Sequence, residues 1–216
     1  MRVTACYNIK QKGMVTGAMK KVLFINACIR NPGKSRTYQL CRTFLDEYAD
    51  INPGFSLDEV DLTKMTLPFF DDAAITRRDR LIDMGKTDST IFRYAKQFAL
   101  ADRIVIGAPY WDLSFPAILK AYVEHISCRD ITFRNTPTGI AGLCNAEKLV
   151  YITAVGDYIE HQANLGAEYI QSLCKIMYGI ELFEAVYAEG LDIEPNDPAE
   201  IMRDAVKKAK LAARRF

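Results

Sequence analysis

The sequence has 216 residues, of which 50% are hydrophobic and 25% are charged, as in an ordinary single globular domain. The formal net charge of +1 argues against a protein that binds nucleic acid through bulk charge, and no apolar run is long enough to span a membrane. Residues 1–18 lack the apolar core of a secretory signal. We expect them to form a poorly ordered N-terminal extension before one domain at 19–216, with an arm that docks on a partner as the alternative.

Strand-like and helical patterns alternate along the chain. Buried or alternating apolar runs predict strands at 21–27, 55–63, 103–109, 148–156 and 182–190. Helical spacing of apolar residues predicts helices that begin at Ser35, at Asp88, at Ser114, at Ala163 and at Asp197. The helix from Ala163 is expected to stop at Gly179. A long polar stretch, 64–90, leads into the second helix.

Five strands that alternate with five helices predict an α/β domain. The strands would be parallel, joined by crossovers and covered by helices on both faces. The leading candidate is a flavodoxin-like three-layer sandwich with a five-stranded parallel sheet in the order 2-1-3-4-5. Such sheets bind ligands outside the carboxyl ends of the strands, where the strand order reverses. The loops after the first, third and fourth strands are therefore expected to form the site.

The loop after the first strand, "NACIRNPGKSRTYQL", is neither a G-x-G-x-x-G motif nor a Walker A loop. It opens a helix, whose first turn offers unpaired N–H groups and the positive end of the helix dipole. The hydroxyls of Ser35 and Thr37 and the charges of Arg30, Lys34 and Arg36 accompany these groups. Together they predict a site for a terminal phosphate monoester, with an ordinary polar loop as the alternative.

The loops after the third and fourth strands have properties that suit a flavin ring. "APYWDLS" carries the chain's only tryptophan, Trp111, together with backbone amides that can bond the edge of the ring. "ITAVGDY" contains Gly156, where a backbone can approach a ligand closely. A rim aromatic and a turn glycine are the alternatives. Three such loops at successive strand ends favour a single FMN.

The six cysteines are spaced irregularly and include no C-x-x-C pair, which argues against zinc and iron–sulfur sites. No metal is therefore expected. With no signal peptide in the sequence, reduced thiols in the cytoplasm are the simple interpretation. Most of these side chains are expected to be small hydrophobic members of the core.

Five segments occur in order from about residue 20 to the C-terminus: "VLFINACIRNPGKSRTYQL", "RIVIGAPYWDLSFPAILKAYVEHI", "ITFRNTPTGIAGL", "VYITAVG" and "AVYAEG". In these segments the chain resembles the flavodoxin-like NAD(P)H-dependent oxidoreductases, meaning the FMN-dependent NADH-azoreductases and the NAD(P)H quinone oxidoreductases. The resemblance implies a cytoplasmic homodimer that binds FMN and uses NADH or NADPH as co-substrate. It also implies a two-electron ping-pong reaction, in which hydride passes through flavin N5 to a quinone, an azo compound or a nitroaromatic.

The resemblance and the loops together give a set of expected site residues. The cofactor-binding set is Cys28, Arg30, Ser35, Arg36, Thr37, Tyr110, Trp111, Asp112, Leu113, Ala154, Val155, Gly156 and Asp157. No side chain is expected to be an obligate acid or base, and Tyr158 and His161 are the candidates for a proton relay.

Two positions depart from the family pattern. Asp112 stands where many azoreductases have Asn, and Cys28 stands where the best-matched ones have Ser. An Asp112 carboxylate near flavin N1 would oppose the reduced anion, whereas near N3–H or N5–H it would accept a hydrogen bond.

Two other functions remain open at this point. A flavodoxin-type electron-transfer protein without its own NAD(P)H oxidation is the main alternative, although such carriers tend to be strongly acidic. A binding or regulatory protein on the same fold is the second, because a fold does not by itself determine a function.

Overall fold

The computed structural model of the chain describes residues 20–161 and 163–216, and describes His161 only through its backbone. The predicted N-terminal extension lies outside these residues. The strands are β1 Lys21–Asn26, β2 Ser56–Asp61, β3 Arg103–Gly107, β4 Phe133–Thr136, β5 Gly139–Gly142, β6 Lys148–Ala154 and β7 Leu182–Ala188. The α-helices are α1 Arg36–Ile51, α2 Asp72–Asp83, α3 Arg93–Leu100, α4 Ala117–Ile126, α5 Leu165–Leu173 and α6 Pro198–Arg214.

Five of the strands form one parallel sheet in the order β2-β1-β3-β6-β7. This confirms the predicted order, because β6 and β7 are the fourth and fifth strands read from the sequence. Every residue of the central strand β3 is buried, as expected for a strand covered on both faces. The strand order reverses between β1 and β3, which puts the edge of interest at their carboxyl ends.

Helices cover both faces of the sheet and complete the predicted three-layer sandwich. On one face, α3, α4 and α5 pack against the sheet through a cluster that includes Phe98, Leu119 and Ile170. On the other face, α1 and α6 pack together through a cluster that includes Phe44 and Ala209. The sheet therefore lies between two apolar layers, and the loops that follow its strands begin at the ends of packed strands.

The structure adds two elements that the sequence analysis did not predict. Helix α2 lies within the polar stretch 64–90, and of its side chains only Ile82 is buried. Strands β4 and β5 pair as an antiparallel hairpin outside the main sheet. A helix with one buried side chain and two four-residue strands carry little apolar periodicity, so the sequence pattern predicted neither.

The helix predicted to begin at Ser114 begins instead at Ala117, after Pro116. Residues 111–114 form a tight turn, in which the Ser114 N–H donates to the Trp111 carbonyl at 2.7 Å and the Trp111 N–H donates back at 3.1 Å. The prediction was wrong by three residues because this turn precedes the helix. The predicted stop of the helix from Ala163 is confirmed: α5 continues as a π-helical turn to Tyr178 and ends at Gly179, whose φ is 71°.

Five cysteines fall within the described residues, namely Cys28, Cys41, Cys128, Cys144 and Cys174, and all five are free and buried. Their predicted place in the core is confirmed. Across the described residues, no group of metal-binding side chains is clustered closely enough to hold a metal ion. Within the same part of the chain, no helix combines the length and the apolar character that crossing a membrane requires.

Candidate functional site

A cleft with a volume of about 140 Å³, open to solvent on one side, lies at the carboxyl ends of β1, β3 and β6. It is lined by Arg30, Lys34, Ser35, Arg36, Thr37, Pro109, Tyr110, Trp111, Ala154, Val155, Gly156, Leu191 and Asp192. The three loops singled out in the sequence therefore meet in one cavity.

One end of the cleft is formed by the N-terminus of α1. Ser35 caps this helix, and its Oγ accepts a hydrogen bond from the Tyr38 N–H at 3.2 Å. The first-turn N–H groups of a helix have no partner within the helix, and the first turn of α1 contains no acidic residue. The side chains of Arg30, Lys34 and Arg36 line the same end. This end therefore combines helix N–H groups with three cations, which is the chemistry that binds phosphate.

The aromatic loop forms a second wall. Trp111 lines the cleft with 40% of its surface exposed. The Tyr110 hydroxyl donates to the Ala163 carbonyl at 2.6 Å, which anchors the loop to the segment before α5. Burial, together with the charge of Asp157, raises the pKa of Tyr110, so its phenol remains protonated at neutral pH.

The turn after Trp111 has an unusual backbone. Asp112 and Leu113 have φ of 50° and 64°, the left-handed region that non-glycine residues seldom adopt. Two positive φ values in succession, with the paired hydrogen bonds between Trp111 and Ser114, describe a type I′ turn. The Leu165 N–H donates to the Leu113 carbonyl at 3.1 Å and ties this turn to the start of α5.

The glycine loop closes the cleft from the β6 side. The Val155 N–H donates to the Ala188 carbonyl at 2.8 Å, which extends the pairing of β6 with β7. A Cβ added to Gly156 would lie 2.5 Å from Asp192 Oδ2. Gly156 therefore has no room for a side chain, because Asp192 of the loop after β7 packs against it.

An ion pair crosses the mouth of the cleft. Arg36 Nη1 lies 3.1 Å from Asp192 Oδ1, and the two side chains are 41% and 72% exposed. It links the start of α1 to the loop after β7.

Some of the expected site residues do not line this cavity. Cys28 is buried, with its Sγ 3.6 Å from the Gly107 carbonyl oxygen, and Asp112, Leu113 and Asp157 neighbour the lining without belonging to it. The Tyr158 hydroxyl accepts a hydrogen bond from Asn196 Nδ2 at 2.8 Å and is likewise outside the lining. The side chain of His161 lies outside the described residues.

Three lining residues were not found by sequence reasoning, namely Pro109, Leu191 and Asp192. Pro109 belongs to a loop that was inspected, whereas the other two follow β7. Strand β7 lies at the edge of the sheet. Ligands of such sheets bind where the strand order reverses, so this position gave no reason to expect Leu191 and Asp192 in the site.

Comparisons with known proteins agree with the fold. A protein-family model described as a flavodoxin-like fold matches residues 20–212. The chain is 38% identical over 202 residues to "FMN-dependent NADH:quinone oxidoreductase 2" of Clostridium acetobutylicum, and the match covers 92% of this chain and 100% of the relative. It is also 38% identical over 199 residues to "FMN-dependent NADH:quinone oxidoreductase" of Clostridium beijerinckii, with the same coverage. Among solved structures, an azoreductase from Bacillus anthracis superposes with a TM-score of 0.83 at 27% identity, covering 92% of this chain and all of that chain.

Proposed function

This chain belongs to the flavodoxin-like family of FMN-dependent NADH:quinone oxidoreductases, and from this premise we propose that its cleft binds FMN and carries electrons from NADH to quinones and azo compounds. The chain is an oxidoreductase, and FMN is its cofactor. The observation that carries the assignment of the cleft is the meeting of a cation-lined helix N-terminus and an aromatic loop in one cavity. The nicotinamide co-substrate is assigned as NADH because the names of the relatives specify it.

The phosphate end of the cofactor suits the start of α1. First-turn N–H groups and the side chains of Arg30, Lys34 and Arg36 supply donors and positive charge in the same place. Ser35 and Thr37 are buried, and the hydroxyl oxygen of each accepts a backbone N–H, which holds the loop in shape. The O–H of each hydroxyl is still available to donate to a phosphate oxygen.

The ring end suits the aromatic and glycine loops. Trp111 and Tyr110 offer flat surface, and the Tyr110 phenol is held by the Ala163 carbonyl. When bound, FMN supplies two-electron hydride chemistry at its N5, used in a ping-pong sequence that accepts nitroaromatics as well as quinones and azo compounds. The side chains of the cleft bind and orient, and none of them is required to act as an acid or base.

We also propose that the active form is a homodimer. Trp111, Leu113 and Leu165 are large apolar side chains that are 40%, 43% and 50% exposed, and the backbone bond between residues 113 and 165 holds two of them side by side. An exposed apolar patch beside a binding cleft is typical of a surface that a partner covers.

The buried free thiols of the described cysteines fit a reducing location such as the cytoplasm.

The proposal is tested by purifying the protein, recording its visible spectrum and following NADH oxidation with menadione and with an azo dye. We expect a flavin spectrum and oxidation of NADH that depends on both FMN and the acceptor. Bound flavin without NADH oxidation would instead support an electron-transfer protein, and failure to bind flavin would support a binding or regulatory role.

A further inference from the structure

Asp192 brings a carboxylate into the cation-lined end of the cleft. It is the one acidic side chain among the described residues that line the cavity, which also include the cations Arg30, Lys34 and Arg36. A carboxylate beside a bound phosphate is unfavourable, because two negative charges at short distance repel. Asp192 therefore lies where its charge would oppose the binding of the FMN phosphate.

The backbone holds Asp192 in this position. Its N–H donates to the Gly156 carbonyl at 2.9 Å, and the N–H of the preceding residue, Leu191, donates to the Val155 carbonyl at 3.3 Å. These bonds bind the loop after β7 to the end of β6. The carboxylate consequently lies above Gly156, where it leaves no room for a Cβ.

The two carboxylate oxygens face different neighbours. Oδ1 accepts a hydrogen bond from Arg36 Nη1 at 3.1 Å, whereas Oδ2 lies over Gly156. Arg36 is the first residue of α1, so the guanidinium that Asp192 holds belongs to the helix end assigned to the phosphate. Asp192 and a phosphate would thus bind the same cation from the same cavity.

We propose that Asp192 competes with the FMN phosphate for Arg36 and so sets how tightly the cofactor is held. This rests on the proposed function. Before the cofactor binds, the carboxylate holds the Arg36 side chain across the cleft. The phosphate, with more charge and three acceptor oxygens, takes over this guanidinium, and Asp192 retains its backbone anchor at Gly156. No covalent bond is made or broken in this exchange.

The competition has a chemical signature that separates it from a general effect on the cleft. Riboflavin has the same ring and ribityl chain as FMN but no phosphate, so Asp192 has nothing to compete with when riboflavin binds. Removing the charge should therefore tighten the binding of FMN and leave that of riboflavin unchanged. For charges that are partly exposed to solvent we expect a gain of about three- to tenfold.

The experiment titrates flavin-free protein with FMN and with riboflavin, and follows the quenching of flavin fluorescence. Asp192→Asn keeps the size and the backbone bonds of the residue while removing its charge. Asp204→Asn is the matched control, since Asp204 is an exposed acid paired with Lys207 on α6, outside the cleft. We expect Asp192→Asn to lower the Kd for FMN three- to tenfold and the control to leave it unchanged. An unchanged or higher Kd for FMN in Asp192→Asn, or equal tightening of both flavins, would overturn the proposal.

A second variant tests whether the effect acts through Arg36. Arg36→Gln should weaken FMN more than riboflavin, and in this background Asp192→Asn should give a smaller gain than in the wild-type chain. An equal gain in both backgrounds would contradict competition for this guanidinium. If the wild-type chain bound neither flavin, the proposed function itself would fail, which is distinct from wild-type binding that Asp192→Asn does not alter.

Discussion

The hydroxyl oxygen of Thr37 accepts a hydrogen bond from the backbone N–H of Ala154 at 3.1 Å. Thr37 lies in the first turn of α1, and Ala154 is the last residue of β6, so this bond joins the phosphate end of the cleft to the glycine loop. Thr37 is buried, whereas Ala154 is partly exposed where it lines the cleft. One side chain thus aligns two walls of the proposed cofactor site.

Thr37→Val should destabilise the protein and weaken FMN. Valine has the shape of threonine but leaves the Ala154 N–H without its acceptor, which costs about 1 kcal/mol for a partly buried hydrogen bond. Urea unfolding measures the loss of stability, and a fluorescence titration measures the affinity for FMN. Thr37→Ser keeps the hydroxyl and should retain most of both. A stable Thr37→Val beside a damaged Thr37→Ser would show that the methyl group and not the bond matters.

Gly142→Ala should destabilise the fold strongly. A Cβ at this position in β5 would lie 2.1 Å from the Gly179 nitrogen and 2.2 Å from the Tyr178 carbonyl carbon. Both are backbone atoms, so relief requires the hairpin to shift from the end of the π-helical turn, at a cost of about 1–3 kcal/mol or more. Gly33→Ala is the control, because its nearest neighbour would be Asn31 Oδ1 at an ordinary 3.6 Å. Equal unfolding midpoints for the two variants would contradict the packing described.

Glu184→Gln should reduce stability at neutral pH and have less effect in acid. Glu184 Oε2 lies 2.6 Å from Lys148 Nζ, and its Oε1 lies 2.6 Å from Arg215 Nη2. Burial alone would raise the pKa of Glu184, but the hydrogen bonds from Lys148 and Arg215 outweigh it and lower the pKa below 4.5. The carboxylate therefore stabilises the fold above pH 4.5, and this contribution is lost as the pH falls through the lowered pKa.

The size of this effect at pH 7 is about 1–2 kcal/mol, because both partners are charged and the group is only partly exposed. Urea unfolding of Glu184→Gln and wild type from pH 7 down to the acid limit of the fold gives the comparison. We expect the difference in the free energy of unfolding to shrink as the carboxylate of the wild type is protonated. A difference that grew toward acid pH would show that the carboxylate is not stabilised by these cations.

The buried thiols should resist alkylation in the folded protein. Burial raises the pKa of Cys128 to about 11, and the pKa of both Cys144 and Cys174 to about 12. Few of these groups are thiolates at pH 8, and the thiolate is the form that reacts. Peptide mapping after iodoacetamide treatment should find these three cysteines labelled only when denaturant is added. Rapid labelling of any of them without denaturant would show that its surroundings open readily.

The parallel sheet could be predicted from the sequence because its central strands are apolar on both faces and its helices have clear apolar stripes. The phosphate end of the cleft could be predicted for a related reason, since Ser35 and the cations around it are neighbours in the chain. Helix α2 could not be predicted in this way, because Ile82 is its one buried side chain. The positive φ values of Asp112 and Leu113 have no signal in residues that usually avoid that region.

The position of Asp192 in the cleft could not be predicted from the sequence either. It reaches the cleft because the loop after β7 folds back over Gly156, 36 residues earlier in the chain, through backbone bonds that no side-chain pattern specifies. The same holds for Thr37 and Ala154, which are separated by 117 residues. Contacts of this kind depend on the completed fold, so they become visible only when the strand ends have been brought together.

We propose that the cleft beside Trp111 binds one FMN per chain. Trp111 is the only tryptophan in the sequence and lines the cleft, so its fluorescence reports on this site alone. Titration of flavin-free protein with FMN, corrected with free tryptophan for absorption by the flavin, is the most direct measurement. We predict saturable quenching of Trp111 that ends at one FMN per chain. Corrected fluorescence that does not change as FMN is added would contradict the claim.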